Sequence, residues 1–495
     1  MFTMVFDFRK TNFYGLKSRT VFLFLFLLAF FIRAPFFFRD YIDRDESTFI
    51  LMGQSWVEGH LPYTELWDLK PPITFLFFAG IIYAFGKSFI AIRIFGTLVV
   101  AITSFFTFKI GKDVGGNKLG IWTAIACTVL QSLFGSLQGV MSEHLSVAFL
   151  MPAIFIILKC NKYYWYSLAG ILMGLTVMTK LNLAYAILVL GLFLLYRSFA
   201  EKKLKQGILN LVFLALGAVF VILLTVLPYY QNDLTALWWQ SVILAPLEYA
   251  SANRGSLLDV LPTCLIIIGF FLWAWKKKYL DFKNRNIQLL FIIVVGILFS
   301  FVRGGKINGH YLIQIYPVML LLVGLVFRAV PSMNRFKWNP YYALILLLVP
   351  IESYLEYYAI IKHKAEKGTF FNGEGIEVPQ YITDNHLDTS NILFLEYHIG
   401  YWLLDKKPLT KISTHPSNIC KVEMFPYSGT TRKTAMAEIK FLLEEIQPTL
   451  VITRDKKNFF AKENVSENAF TRKYLNQHYR IIKVIDHAEI RQRLK

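Results

Sequence analysis

Apolar residues run along this chain in blocks close to twenty residues long, separated by short polar stretches, from about residue 20 to about residue 360. Blocks of that length match the ~20 helical residues that cross about 30 Å of hydrocarbon. A soluble core would instead be interrupted at helix or strand period. The pattern predicts spans near 20–38, 89–110, 119–135, 142–159, 164–179, 181–197, 207–229, 258–275, 287–302, 309–330 and 339–360, about eleven in all. Only Lys180 separates 164–179 from 181–197. A shorter apolar piece, 73–86, is brief for a span and reads as a juxtamembrane helix.

Beyond about residue 361 the pattern changes to alternating strand and helix. Strands are predicted at 392–396, 448–453 and 479–485, and a helix at 434–446. The expected fold class is an all-α polytopic membrane protein plus a small C-terminal α/β soluble domain. The expected division is a membrane domain at 1–360, with a first external loop at 39–88, followed by the α/β domain at 361–495.

Composition agrees with a membrane class: 495 residues, 55% hydrophobic, 45 of them Phe, and only 17% charged. The four cysteines, Cys127, Cys160, Cys264 and Cys420, have no ligand-like spacing, which argues against a disulfide framework or a zinc site. The N-terminus is basic without a small-residue cleavage site, so the first apolar block reads as a retained span. The net charge of +19 is unevenly spread. Alternate loops hold Lys112 and Lys118, Lys159 and Lys162, Arg197 to Lys205, the Lys276-Lys277-Lys278 cluster, and Arg328 to Lys337. Such loops face the cytoplasm. This places the N-terminus inside, puts the loop at 39–88 and the tail outside, and makes anionic lipid rather than nucleic acid the partner of the basic excess.

The chemistry-bearing residues gather on the outer side. The stretch 39–72 packs in Asp43, Asp45, Glu46, Glu58, Glu65 and Asp68 and closes on Lys70-Pro71-Pro72. Charge runs are usually solvated faces, and a wet loop between helices would hold the same acids. Ionisable groups at a membrane face are nevertheless costly unless paired, which makes each a functional candidate. Asp45 and Glu46 are candidate bases towards an acceptor hydroxyl or amine. Glu143 and His144 open a span, where an acid also suits the helix dipole. Lys180, Arg303, Lys306, His310 and Tyr311 supply cations, adjacent glycines and an aromatic fit to hold a phosphate. Arg93 begins its span, where snorkelling alone accounts for it.

Asp45-Glu46, then Gly59-His60-Leu61-Pro62-Tyr63 and Lys70-Pro71-Pro72, resembles the first external loop of the dolichyl- or polyprenyl-phosphate-sugar glycosyltransferases. These are the membrane enzymes of the protein O-mannosyltransferase and lipid A aminoarabinose transferase type, with the fold called GT-C. Arg93-Ile94-Phe95-Gly96, Gly174 to Lys180, and His310-Tyr311 running into Tyr316-Pro317 continue the resemblance, in order, over residues 20–330. It implies an inverting transfer at the extracytoplasmic face of a bacterial inner membrane. The donor would be a polyprenyl-phosphate-linked sugar, and the acceptor a lipid A, an envelope glycan or a protein hydroxyl. By the same resemblance Asp45 activates the acceptor, while Lys70, Lys180 and the Arg303–Tyr311 loop neutralise the leaving phosphate. Asp43, two residues earlier, leaves the identity of the base open. Glu143 stands where relatives carry an acid for substrate or metal. No cofactor is implied with certainty and a divalent metal is left open. A transporter or flippase for lipid-linked sugars is the alternative, and an envelope scaffold acting through its tail is a third reading.

Overall fold

The computed structural model describes residues 13–40, 42–133, 135–252, 255–305, 307–331, 345 and 348–494. The chain opens with helix α1 (Ser18–Arg33) and a tight turn at Ala34–Phe38. Two short helices follow in the first loop, α2 (Arg44–Val57) and α3 (Pro72–Phe85). Next come α4 (Phe89–Leu130), α5 (Ser142–Lys159), α6 (Tyr163–Val177), α7 (Ala184–Ala200) and α8 (Leu204–Tyr230). The membrane part ends with α9 (Thr235–Trp239), α10 (Ala245–Ala252), α11 (Leu257–Lys276), α12 (Arg285–Gly304) and α13 (Tyr316–Ala329).

Seven of the described helices are long and apolar enough to cross a membrane, which corrects the expected eleven. The segments near 89–110 and 119–135 lie in one continuous run, α4, which the non-helical Gly116 (φ 85°, ψ 170°) divides into two helical halves packed against each other, so that a Cβ on Gly120 would lie 2.6 Å from the Phe108 carbonyl oxygen. The segments near 164–179 and 309–330 yield helices of 15 and 14 residues. At 1.5 Å per residue these fall short of about 30 Å of hydrocarbon. Of 339–360, most of the first half lies outside the described residues, and the remainder begins the polar helix α14 (Ile351–Lys367). Hydropathy counts apolar residues but does not see where helical geometry starts or stops.

The helices pack in a closed circuit: α4 on α5, α5 on α6, α6 on α8, α8 on α7, α7 on α12, α12 on α13, and α13 back on α4, with α1 laid outside α4. Burial against lipid-like surroundings supplies little hydrophobic driving force, so close approach and dispersion carry the packing. The α6–α8 contact shows how. A Cβ on Gly170 would lie 2.0 Å from the Leu214 carbonyl oxygen, and one on Gly217 would lie 2.2 Å from that of Ser167. Only glycine lets these two backbones touch.

The circuit has two unlike ends. At one, Lys159 pairs with Asp113 at 2.9 Å, Arg197 donates to Gln288 at 2.6 Å, and Arg328 donates to the Gly115 carbonyl at 2.5 Å. The other end holds the N-termini of α5 and α7, the C-termini of α6 and α12, and the first loop.

The tail adds α15 (Glu374–Asp384), α16 (Val465–His478) and a mixed sheet. Its strands are β1 (Ile392–Phe394), β2 (Leu450–Arg454), β3 (Tyr479–Ile485) and β4 (Ala488–Arg493), in the order β1-β2-β4-β3. β1 pairs with β2 in parallel, and the other two pairings are antiparallel. β4 was not among the expected strands: Glu489, Arg491 and Arg493 make it polar on alternate positions, and the apolar run that marks a buried strand is missing.

Polar contacts from the segment that follows β1 seat the tail on the first loop. Glu396 takes Arg44 and Lys457, Trp402 Nε1 donates to Gln54 at 3.0 Å, and Lys407 meets Glu65 at 2.5 Å. Trp67 donates through its indole to Ser241 at 3.1 Å and through its backbone to Thr414 at 3.4 Å, so the loop at 59–70 is held between membrane helices and tail.

The loop is tied to α4 by a buried ion pair. Arg93, fully enclosed, donates to Glu46 Oε2 at 3.0 Å, to the Phe36 carbonyl at 2.6 Å and to the Arg39 carbonyl. The second Glu46 oxygen accepts the Val140 N–H at 3.0 Å. Removing one partner of such a pair leaves a buried charge uncompensated. Arg93→Met is expected to lower stability by about 3–5 kcal/mol, read as thermal unfolding in detergent. The double variant Glu46→Gln/Arg93→Met should recover part of that loss.

Candidate active site

Asp43 caps α2: its backbone is extended (φ −148°, ψ 149°) and its side chain accepts the Asp45 N–H at 2.8 Å. Asp45 is therefore the second residue of a well-started helix. Successive residues on a helix point about 100° apart. With Glu46 fixed on Arg93, Asp45 is turned to the opposite flank, where it lines a cavity of about 570 Å³.

Lys70 reaches into the same cavity, with Nζ 3.1 Å from Asp45 Oδ2 and 4.0 Å from Asp68. Its position is set by Tyr63, whose hydroxyl donates to the Lys70 carbonyl at 2.7 Å. Tyr63 is wholly buried and holds a left-handed backbone (φ 72°), a conformation costing of order 1–3 kcal/mol in a non-glycine residue. Burial of the ring against Phe75 and Tyr229 offsets it.

A second pair stands across the cavity. Lys180, in the turn between α6 and α7, places Nζ 2.6 Å from Glu143 Oε1, and His310 Nε2 lies 3.8 Å from the same oxygen. Glu143 is fully buried behind these two cavity-facing groups. The Lys180 ammonium also sits 5.1 Å over the Tyr311 ring. Arg303 lines the cavity at the end of α12. There Gly305 adopts φ 63° to end the helix, and a Cβ on it would strike the Gly255 carbonyl at 2.3 Å. This glycine opens the turn that brings Asn308, His310 and Tyr311 to the cavity wall.

The structure thus gathers Asp45, Lys70, Lys180, Arg303, His310 and Tyr311 around one space, with Glu143 directly behind. It places Glu46 and Arg93 in the buried tie to α4, and His144 in the fully enclosed first turn of α5. His144 Nδ1 accepts the Met141 N–H at 3.3 Å, and Nε2 donates to the Gln131 carbonyl at 2.9 Å. Lys306 lies outside the described residues. The sequence reading missed Asp68, two residues before Lys70 in the same acidic stretch. It also missed His415, Ser417, Asn418 and Lys421 from the tail, which line the cavity from above. Nothing local in the tail sequence marks them. Among the described residues no three His, Cys, Asp or Glu side chains gather to hold an ion.

Opposed charges set the protonation states. Burial pushes the Asp45 carboxyl up, but Lys70 and His415 outweigh it and hold Asp45 well below the usual carboxylate range. Burial likewise favours neutral Lys70, and Asp45, Asp68 and Glu143 reverse it, so the ammonium is held above the ordinary lysine range. Burial also keeps the Tyr311 phenol protonated. The cavity walls combine this charged end with apolar surface from Ala184, Tyr185, Leu247 and Phe301. Charged and apolar surface thus meet in one space.

A family model described as dolichyl-phosphate-mannose-protein mannosyltransferase matches residues 69–229, a stretch that includes Lys70, Glu143 and Lys180. No curated protein matches the chain. The structure is similar to that of ArnT from Cupriavidus metallidurans bound to undecaprenyl phosphate. The TM-score is 0.58 at 13% identity, covering 96% of this chain and 97% of that one. The apo state of the same ArnT gives 0.57 at 12% identity, over 96% and 98%. At such identity the likeness is one of fold, and it runs the length of both chains. The chain is a multi-pass membrane protein that shares its overall fold with that ArnT and carries a C-terminal soluble domain.

The depressed Asp45 value makes its ionised form stabilising above the ordinary carboxylate range, and that stability is lost as pH falls through the folded value. Lys70 contributes below the ordinary lysine range, and its contribution is lost as pH rises through its own folded value. The pair therefore adds no pH dependence between about pH 5 and about pH 9. Lys70→Met should destabilise the protein by about 1–3 kcal/mol at neutral pH, with a deficit that shrinks on acidification as Asp45 takes up a proton. Melting temperature against pH reads both effects.

Proposed function

We propose that this protein transfers a sugar from a polyprenyl-phosphate donor to a cell-envelope acceptor, with inversion, at the extracytoplasmic face of a bacterial inner membrane. The observation that carries the reading is the placement of the Asp45 carboxylate, with Asp68 beside it, in a cavity also lined by Lys70, Lys180, Arg303 and apolar side chains. The two ends of the helix circuit support this orientation. The end remote from the cavity holds Lys112, Lys118, Lys159, Lys162, Lys202, Lys203, Lys205 and the lysines at 276–278, and such ends face the cytoplasm.

In the proposed reaction the acceptor's oxygen bonds to the anomeric carbon as its proton passes to the Asp45 carboxylate. The bond from that carbon to the phosphate oxygen breaks, and its electron pair leaves with the polyprenyl phosphate. Asp45 is ionised throughout the physiological range and is always ready to accept the proton. The charge that grows on the leaving phosphate is met by Lys70, Lys180 and Arg303, cations set in place before the reaction begins. Phosphate needs little protonation to leave, so one base suffices. Glu143 orients Lys180 from behind. Glu46, with both oxygens taken, braces the helix that presents Asp45.

The test uses purified protein in lipid with radiolabelled polyprenyl-phosphate sugars and an envelope extract. Asp45→Asn is expected to lower transfer by about 10²–10⁴-fold while donor binding is kept. Lys180→Ala should cost about 10²–10³-fold and weaken donor binding as well. Wild-type protein that binds the donor yet releases no polyprenyl phosphate with any acceptor fraction would sink the transferase reading in favour of transport.

A further inference from the structure

His415 belongs to the soluble tail, some 370 residues from Asp45 in sequence, yet its Nε2 lies 3.3 Å from Asp45 Oδ1. Its side chain is mostly enclosed, with 10% of its surface open, and Asp45 keeps 21%. The other ring nitrogen, Nδ1, faces the Ser417 backbone N–H at 3.3 Å and the Ser417 hydroxyl at 2.8 Å. A backbone N–H can only donate, so Nδ1 is the acceptor. The neutral ring then carries its proton on Nε2 and donates it to Asp45. Ser417 thereby fixes the tautomer, and the extended His415 backbone (φ −116°, ψ 110°) caps the short turn Pro416–Cys420 that holds Ser417 in place. The adjacent Thr414 accepts from the Trp67 N–H, which anchors this turn on the first loop.

A carboxylate has about four lone-pair sites. Lys70 occupies one on Oδ2 and His415 one on Oδ1, which stops the carboxylate from swivelling. The remaining sites face the cavity through the exposed part of the side chain. We propose that His415 is a positioning residue for Asp45. By donating from Nε2 it fixes the carboxylate plane and presents the free lone pairs to the acceptor, so the membrane helices hold an incomplete site until the tail is docked. The proposal rests on the glycosyltransferase reading. The same donation favours the carboxylate over the acid, so loss of His415 should move the protonation of Asp45 to higher pH. The other groups facing Asp45 are Lys70 from the turn before α3, Lys180 from the α6–α7 turn and Tyr311 from the turn before α13. His398, with Arg44 nearby, faces His415 from the tail.

The experiment follows polyprenyl phosphate release by full-length protein in lipid, with the donors and extract described above, from about pH 2 to about pH 9, since the Asp45 carboxyl is held well below the usual carboxylate range. The chains are wild type, His415→Ala, His415→Gln and Lys407→Ala. His415→Ala is expected to lower the maximal rate by about 10–100-fold with donor binding unchanged. It should also move the acid limb of the profile up by about one pH unit. His415→Gln, whose amide N–H can donate to Asp45, should recover most of the rate and return the limb towards wild type. Lys407→Ala, which removes a tail-to-loop ion pair away from the cavity, should leave the limb in place. If His415→Ala loses the native melting transition, His415→Met, close in volume and without a donor, carries the same expectation. A wild-type rate and acid limb in the folded donor-less variant would overturn the proposal and leave the transferase reading standing. An equal shift of the limb in Lys407→Ala would overturn it too, as an effect of docking alone. Wild-type protein without turnover would overturn both.

Discussion

The buried contact between Glu46 and Arg93 is the constraint on which the site depends. It joins the first loop to the long helix α4 through a fully enclosed guanidinium that also gathers the Phe36 and Arg39 carbonyls. One carboxylate of an adjacent acid pair is thereby consumed in structure, and helical geometry delivers its neighbour to the cavity. The capping aspartate, Asp43, sets where the helix starts and hence the direction of both. Three acids within four residues thus do three jobs, and the division is made by partners rather than by residue type.

That division explains what the sequence could tell. The long apolar blocks, the short helix at 73–86 and the change of composition in the tail are one-dimensional signals, readable without a partner. So was the gathering of Asp45, Lys70, Lys180, Arg303, His310 and Tyr311 on one side, since loops that exit the same face must share it. Which acid faces the cavity and which is tied to α4 could not be read, because Arg93 lies some 47 residues from Glu46 and its position fits snorkelling equally well. The number of crossings was overestimated for a related reason. The segments at 164–179 and 309–330 are apolar enough for a span, but their helices stop at 15 and 14 residues. His415 was invisible: its meaning comes only from the docking of a sheet on a loop far away in sequence.

The soluble domain is therefore more than an appendage to the membrane helices. Its contacts to the first loop run from Glu396 through Trp402 and Lys407 to Thr414 and His415, and each meets a residue of α2 or the segment just after it. The two parts share the wall of the cavity, so motion of one relative to the other would change the shape of the space between them.

The paired state of the cavity's lysines has a consequence for selectivity among anions. Lys70 already faces Asp45 and Asp68, and Lys180 already faces Glu143. An incoming phosphate meets cations whose counter-ions are built in and cannot diffuse away, so it gains only the excess over those internal partners. A small free anion brings nothing else to the exchange. A phosphate joined to a long hydrocarbon brings its tail, and burial of that tail against Tyr185, Leu247 and Phe301 tips the balance. On the proposed function, internal neutralisation would turn a basic pocket, open in principle to every soluble phosphate, into one that discriminates by lipid.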